Sequence, residues 1–245
     1  MPTPRFYCTP PLHLGATFEL PQKAAHHANR VLRLRVNDPV QVFDGEGNAF
    51  DAKISEINGK RVMLHELQTC MAEAESPLRI MLAPAMCGSE KMDCVVQKAT
   101  ELGTAEMQPV QTQRSVAKLS DERAEKRTAH WYSVAAAACE QCGRNTLPQI
   151  HAPQEFSTWL ARMRNAPGAK FILLPEGATA LHKLPPPQRS VILLVGPEGG
   201  FSEDEVKIAH LAGFTPVRLG GRVLRTETAA MAGIAALQTL WGDFS

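Results

Sequence analysis

The chain has 245 residues, a formal net charge of +1 and an apolar fraction of 44%, the profile of a globular protein with enough core for one large or two modest domains. No apolar run approaches the roughly 18 residues of a membrane span, and the segment from Met1 to Arg5 lacks a signal-peptide core, so the expectation is a cytoplasmic protein without membrane contact. The near-neutral total neither announces nor excludes nucleic acid, and six irregularly spaced cysteines read as reduced thiols rather than a disulfide framework.

Residues 1–70 read as a small β-rich domain. Phe6 to Cys8 and Thr17 to Leu20 are brief strands, and Pro21 to Leu34 has a helical pattern. Val40 to Phe43, Ala49 to Ile57 and Arg61 to Leu67 then form a meander whose turns are marked by Asp44-Gly45, Gly47-Asn48 and Asn58-Gly59. Between Pro21 and Val36 stand four cations (Lys23, Arg30, Arg33, Arg35), two histidines and no acid. That face either meets a phosphate backbone or is a solvated helix surface whose charges pair elsewhere.

Residues 71–77 are polar, end in Pro77 and read as a linker; residues 78–245 alternate strands and helices. Leu78 to Ala83 is a strand, Ser89 is placed to cap a helix to Leu102, and Ala105 to Val110 is the next strand, with Arg114 in the loop beyond it. Ser120 to Gln141 is a long helix stopped by Gly143, after which Arg144 and Asn145 face substrate or water. Cys139 and Cys142 form a C-x-x-C without a second pair at zinc spacing, so packing thiols are expected and no metal. Phe156 to Arg164 is a short helix, and the proline-rich stretch from His182 to Arg189 is a connection. The final helix, Glu227 to Trp241, is apolar nearly all round and must pack against a sheet or a second subunit.

The chain is organised around Val191 to Val206. An unbroken apolar run reads as a strand buried on both faces, then Gly196-Pro197-Glu198-Gly199-Gly200 bring bare backbone, and Ser202 with Glu205 forms a capping box that opens a helix. Strand, glycine-rich loop and helix N-terminus in that order build ligand sites in α/β proteins. Two more strands end alike: Phe171 to Leu174 before Pro175-Glu176-Gly177, and Thr215 to Leu219 before Gly220-Gly221. Neighbouring strand ends share one crevice, so the three loops are expected to close on one ligand. Glu198, Glu203, Asp204 and Glu205 disfavour a phosphate, and neither G-x-x-x-x-G-K-[ST] nor G-x-G-x-x-G is present. A ligand neutral or cationic at its reactive end fits better than ATP or NAD, unless the glycines only turn the chain and the acids only cap a helix.

EKMDCVVQKATELG, ACEQCGR, GPEGG after an apolar strand and LGGRVLRTETA before the last helix, in that order along the chain, resemble the SPOUT class of RNA methyltransferases. Within it the chain is similar, over nearly its whole length, to the bacterial 16S ribosomal RNA (uracil-N3)-methyltransferase family called RsmE. The resemblance implies an α/β fold, a SPOUT-type parallel sheet with a C-terminal trefoil knot, preceded by a small PUA-like β-barrel domain that binds RNA. It also implies a homodimer that uses S-adenosyl-L-methionine to methylate N3 of a uridine in 16S ribosomal RNA of the small ribosomal subunit. By motif matching the cofactor loops are Leu174, Pro175, Glu176 and Gly177; Gly196, Pro197, Glu198, Gly199 and Gly200; and Leu219, Gly220, Arg222, Val223 and Leu224. The family pattern has proline where this chain has Gly221, which loosens the third loop.

Methylation of N3 needs removal of a weakly acidic proton or stabilisation of the anion left on O2 and O4. Arg222 and Arg225 suit the second task, with Glu227, or else Glu198, as proton acceptor. Arg30, Arg33, Arg35, Arg114 and Arg144 are the candidate RNA contacts. A non-catalytic RNA-binding module with a degenerate pocket, or methylation of a different RNA site, is the alternative.

Overall fold

The computed structural model of the chain describes residues 3–9, 12, 14–15, 17–70, 75–115, 121–176 and 179–244. Its contacts divide it into two units, residues 1–75 with 136–147, and residues 76–135 with 148–245.

The first unit carries a five-stranded sheet: β1 (Arg5–Tyr7), β2 (Phe18–Glu19), β3 (Pro39–Phe43), β4 (Ala49–Asn58) and β5 (Arg61–Thr69), in the order β1-β3-β4-β5-β2. β3, β4 and β5 pair antiparallel as the meander pattern expects, while β1 runs parallel to β3. Alternate residues of β3 to β5, among them Val40, Val42, Ile54, Val62 and Leu64, enter one core with Phe6 and with Ala24, Ala25 and Ala28 of the helical segment.

That segment is shorter than its pattern suggests. Helix α1 (Gln22–His26) passes into a π turn (His27–Val31), where Leu32 N–H bonds His27 O at 2.9 Å, and Arg33 then takes a left-handed φ of 55°. The helix therefore ends before Arg33, and Arg35 instead starts a turn in which its N–H bonds Asp38 Oδ2 at 2.7 Å. The cations of this stretch do not share one helix face.

Helix α3 (Asp121–Cys142) belongs by its last turns to this unit. Cys139 is buried with Phe43 and Ala49, and burial pushes its thiol up to about 12, so it is a packing group at neutral pH. Arg144 and Asn145 do not face solvent: Asn145 is buried and accepts from Arg5 at 2.5 Å, and the Arg144 side chain, 11% exposed, forks onto Glu75 at 2.6 and 3.2 Å.

The second unit is a parallel sheet with helices on both faces. Its strands are β6 (Arg79–Pro84), β7 (Glu106–Met107), β9 (Gln149–Ile150), β11 (Ala169–Leu173), β12 (Thr179–Ala180), β13 (Ser190–Val195) and β14 (Thr215–Arg218), in the order β12-β14-β11-β13-β6-β7-β9. The single strand expected from Ala105 to Val110 is split: after β7, Pro109 intervenes, and β8 (Val110–Gln111) pairs separately with β10 (Gln154–Glu155).

β13 is buried on both faces, as its sequence requires. Val191, Leu193 and Val195 pack in one core with α2 (Ser89–Glu101), α3 and α6 (Thr226–Trp241); Ile192 and Leu194 pack in the other with α4 (Phe156–Met163) and α5 (Glu203–Leu211). Ser89 is not the cap of α2: Gly88 holds that position without a side-chain bond, and the Ser89 hydroxyl accepts from Arg127. Among the described residues no helix is long and apolar enough to cross a membrane.

α6 lies so close to β13 that a Cβ at Gly233 would come within 2.8 Å of Leu193 Cδ2 and 3.1 Å of Leu173 Cδ1. Gly233→Val is expected to destabilise the protein by about 1–3 kcal/mol through overpacking, read as a lower urea midpoint at unchanged m-value.

Candidate functional site

β14, β11 and β13 are consecutive neighbours and parallel, so their C-terminal ends open on the same edge of the sheet. The register sets Leu173 opposite Val217, and one step past Ile172↔Leu194 it sets Leu173 level with Val195. Leu173, Val195 and Val217 line a cavity of about 540 Å³, within the size range of small-molecule sites.

The three loops that follow these strands wall the cavity. Leu174 and Pro175 come from the first, Gly196 to Gly200 from the second, and Leu219, Gly220, Arg222, Val223, Leu224 and Arg225 from the third. Glu176 and Glu227 are not among the lining residues, and Gly177 lies outside the described residues. The sequence pattern had selected loops, so it missed the last residues of the strands beneath them. It also missed Lys91, Phe201, Thr226 and Ala229, which lie in or beside the quoted motifs but on positions whose side chains only the packing turns toward the cavity.

The second loop is held in shape by close contacts. Gly200 has φ of 68°, a left-handed conformation that favours glycine, and its N–H bonds Pro197 O at 2.9 Å. A Cβ on Gly196 would lie 3.0 Å from the Phe201 ring. Arg114, a candidate RNA contact, is exposed, donates from Nη1 to Gly199 O at 2.8 Å and lines the cavity, which makes it a brace for this loop. At Gly221 the φ is not left-handed and an added Cβ meets nothing within 4 Å, so no fit demands glycine there.

The acids of this region are largely occupied. Ser202 and Glu205 form the expected capping box, with Ser202 N–H to Glu205 Oε2 at 2.8 Å and Glu205 N–H to Ser202 Oγ at 3.2 Å. The other Glu205 oxygen accepts from the Gln113 N–H at 2.7 Å, which ties α5 to the loop after β8. Asp204 pairs at the surface with Lys207, and Glu203 is exposed. Of the four acids only Glu198 lines the cavity, and it accepts from Lys91 at 2.7 Å. That hydrogen bond holds the Glu198 carboxyl below its ordinary range and raises Lys91 above its own. The charge argument against phosphate thus shrinks to a single neutralised carboxylate.

Arg222 and Arg225 are exposed at the cavity, and neither guanidinium has a partner among the described residues. Glu227, in the first turn of α6, keeps Oε2 buried without a partner. Burial also pushes the nearby Cys87 thiol up to about 12, which keeps it protonated and inert at neutral pH. Among the described residues no group of three or more His, Cys, Asp and Glu is placed to hold a metal ion.

A family model described as an RNA methyltransferase domain matches residues 74–238, and one described as an RNA methyltransferase PUA domain matches residues 20–66. The chain is 32% identical over 241 residues to the ribosomal RNA small subunit methyltransferase E of Buchnera aphidicola from Acyrthosiphon pisum, covering 98% of this chain and 95% of that one. The Bacillus subtilis protein of the same name is 29% identical, with 90% and 89% covered. A ribosomal RNA small subunit methyltransferase E from Neisseria gonorrhoeae, solved bound to S-adenosyl methionine, superposes with a TM-score of 0.92 at 39% identity, covering 99% of this chain and 100% of that one. A methyltransferase structure from Legionella pneumophila with bound cofactor SAM gives a TM-score of 0.94 at 36% identity, with full coverage of both chains.

Two outcomes follow from the bonds around the second loop. Glu205→Ala keeps the Ser202 cap but removes the reciprocal bond to the Ser202 N–H and strands the Gln113 N–H, an expected loss of about 2 kcal/mol in denaturant unfolding. The Lys91–Glu198 pair stabilises the fold fully above the ordinary carboxylate range and fades as pH falls through the depressed Glu198 value. On the alkaline side it is lost as pH rises through the raised Lys91 value. Thermal midpoints of wild type and Lys91→Met should therefore differ most near neutrality and converge in acid.

Proposed function

The chain belongs to the RNA methyltransferase family that includes the ribosomal RNA small subunit methyltransferases E, and on that premise we propose that it methylates N3 of a uridine in 16S ribosomal RNA with S-adenosylmethionine. The observation that carries this reading is the convergence of three loops, from adjacent parallel strand ends, on one cavity with an apolar floor and exposed backbone. A flat aromatic base suits the floor of Leu173, Val195 and Val217, and glycine-rich backbone supplies donors and acceptors to its edge. The residues proposed to hold the cofactor are those of the three loops, from Leu174 to Gly177, Gly196 to Gly200 and Leu219 to Leu224.

When bound, the cofactor supplies an electrophilic methyl group on a sulfonium. The chain's own part is to orient the uracil and to manage its N3 proton. Arg222 and Arg225, unpaired among the described residues and at the cavity, are placed to stabilise negative charge on O2 and O4. Glu198 is committed to Lys91 with its proton affinity lowered, which makes it the poorer acceptor. Glu227 has a free oxygen but does not line the cavity, so a role for it requires its side chain to turn toward the uracil.

In the first unit, exposed Arg30 lines a depression of about 340 Å³ with Lys23, His26 and Lys60, which supports an RNA contact there. Arg33 and Arg35 are exposed beyond the helix and remain candidates for the same strand. The homodimer fits α6, whose Leu240 stays 40% exposed after its other face has packed on the sheet. The trefoil knot is consistent with β14 lying between β11 and β12. A substrate in ribosomal RNA supports a cytoplasmic location, and the assembled small subunit is the proposed context.

Calorimetric titration with S-adenosylmethionine separates this reading from that of a non-catalytic RNA-binding module: a dissociation constant of about micromolar or below is expected, and no heat would point to the module. Arg225→Ala is expected to bind cofactor as wild type does yet to lose at least about 100-fold in methylation. N3-methyluridine in digested 16S ribosomal RNA is the readout, and near-wild-type methylation would remove Arg225 from the chemistry.

A further inference from the structure

Outside the cofactor cavity, the second unit has another depression, of about 640 Å³, between α2 and α3. Ser89, Asp93, Arg123, Lys126, Arg127 and His130 line it. At the angular step of an α-helix, the four α3 residues fall within about 100° of arc. Glu122 and Glu125 lie outside that arc, so the helix sorts its charges by face.

The hydrogen bonds show which charges are free to meet a ligand. Arg127 donates to the Ser89 hydroxyl, a neutral partner that fixes the guanidinium without cancelling its charge. Asp93 is the one acid lining the depression. Its Oδ2 is taken by His130 Nε2 at 2.9 Å and its Oδ1 is buried without a partner among the described residues, so the depression sets one carboxylate against the three cations Arg123, Lys126 and Arg127. Lys126 pairs with Glu122 at 2.6 Å, but both side chains are over 70% exposed, and such pairs are weak. Arg123 has no side-chain partner among the described residues.

We propose that this depression holds the phosphate backbone of the RNA that is methylated. The stripe rises about 10 Å along α3, longer than one phosphate and suited to two successive ones. The first turns of α2 separate it from the cofactor cavity, since Ser89 and Asp93 line the depression and Lys91 lines the cavity. A strand held here runs beside the place of methyl transfer. The inference rests on the RNA methyltransferase reading above, but its test does not depend on turnover.

The experiment uses the full chain saturated with S-adenosylmethionine and a 16S ribosomal RNA transcript, with RNA affinity measured over a potassium chloride series. Arg123→Ala combined with Lys126→Ala should lower the slope of log affinity against log salt by about 1.5. It should also raise the KM for RNA about tenfold near physiological salt, the loss lying in KM rather than in the rate at saturating RNA. Glu122→Gln, which releases Lys126, should tighten binding, a gain that misfolding does not produce. An unchanged salt slope and KM in the double variant would overturn the proposal, as would weaker binding by Glu122→Gln. If the wild type binds RNA yet transfers no methyl group, the proposed function fails while the salt slope still decides the role of this depression.

Discussion

The candidate site depends above all on the parallel pairing of β14, β11 and β13 as immediate neighbours. Parallel strands present the same end on the same edge, so three loops far apart in the chain are brought round one cavity without any of them reaching across the molecule. The register does the finer work. It brings Leu173, Val195 and Val217 to one level as a floor, and the loops then leave that floor with their backbone exposed. A shift of one residue would turn each floor residue to the opposite face, where Ile172 and Leu194 already pack beneath α4 and α5.

Charge around the site is organised more by folding than by ligand selection. Four acids in eight residues look like a negative rim in the sequence. In the structure Glu205 caps α5 and anchors Gln113, Asp204 and Glu203 face solvent, and Glu198 is bound to Lys91. The cavity is left with more unpaired cation than anion, from Arg222 and Arg225. That balance suits an RNA substrate carrying phosphate and an anionic base better than it discriminates among cofactors, so the choice of cofactor rests on shape and on the family. Arginine is divided between tasks in the same way. Arg114 braces the second loop and Arg144 is spent on Glu75, while Arg222 and Arg225 stay open.

Helix α2 is the wall shared by two different surfaces. Its buried stripe of Met92, Val95, Val96 and Ala99 seals one sheet face, which fixes the helix rigidly. The residues between those anchors can then point to two sides, Lys91 to the candidate cofactor cavity and Ser89 with Asp93 to the basic depression on α3. A single rigid element thereby sets the spacing between a candidate methyl-transfer site and a candidate hold on the strand that delivers the base.

The sequence by itself determined most of the elements and the chemistry of the loops. Val191 to Val195 reads as a doubly buried strand because both its alternating faces are apolar, and Ser202 with Glu205 reads as a cap because at that spacing each side chain reaches the other's backbone N–H. Its motifs also carried the family, since they sit in order along one chain. Other features had no local signal. The π turn and the left-handed Arg33 broke a helix whose pattern continued to Leu34, so that Ala24, Ala25 and Ala28 reach the core from the helical segment and Leu34 packs against it from beyond the break. Pro109 split a strand that hydropathy had read as continuous. Strand order, the floor of Leu173, Val195 and Val217, and the partners of Lys91, Arg114 and Arg144 were decided only by the tertiary structure. Each depends on residues distant in sequence meeting at one sheet edge or one buried surface, and periodicity carries no information about which distant residue will be the neighbour.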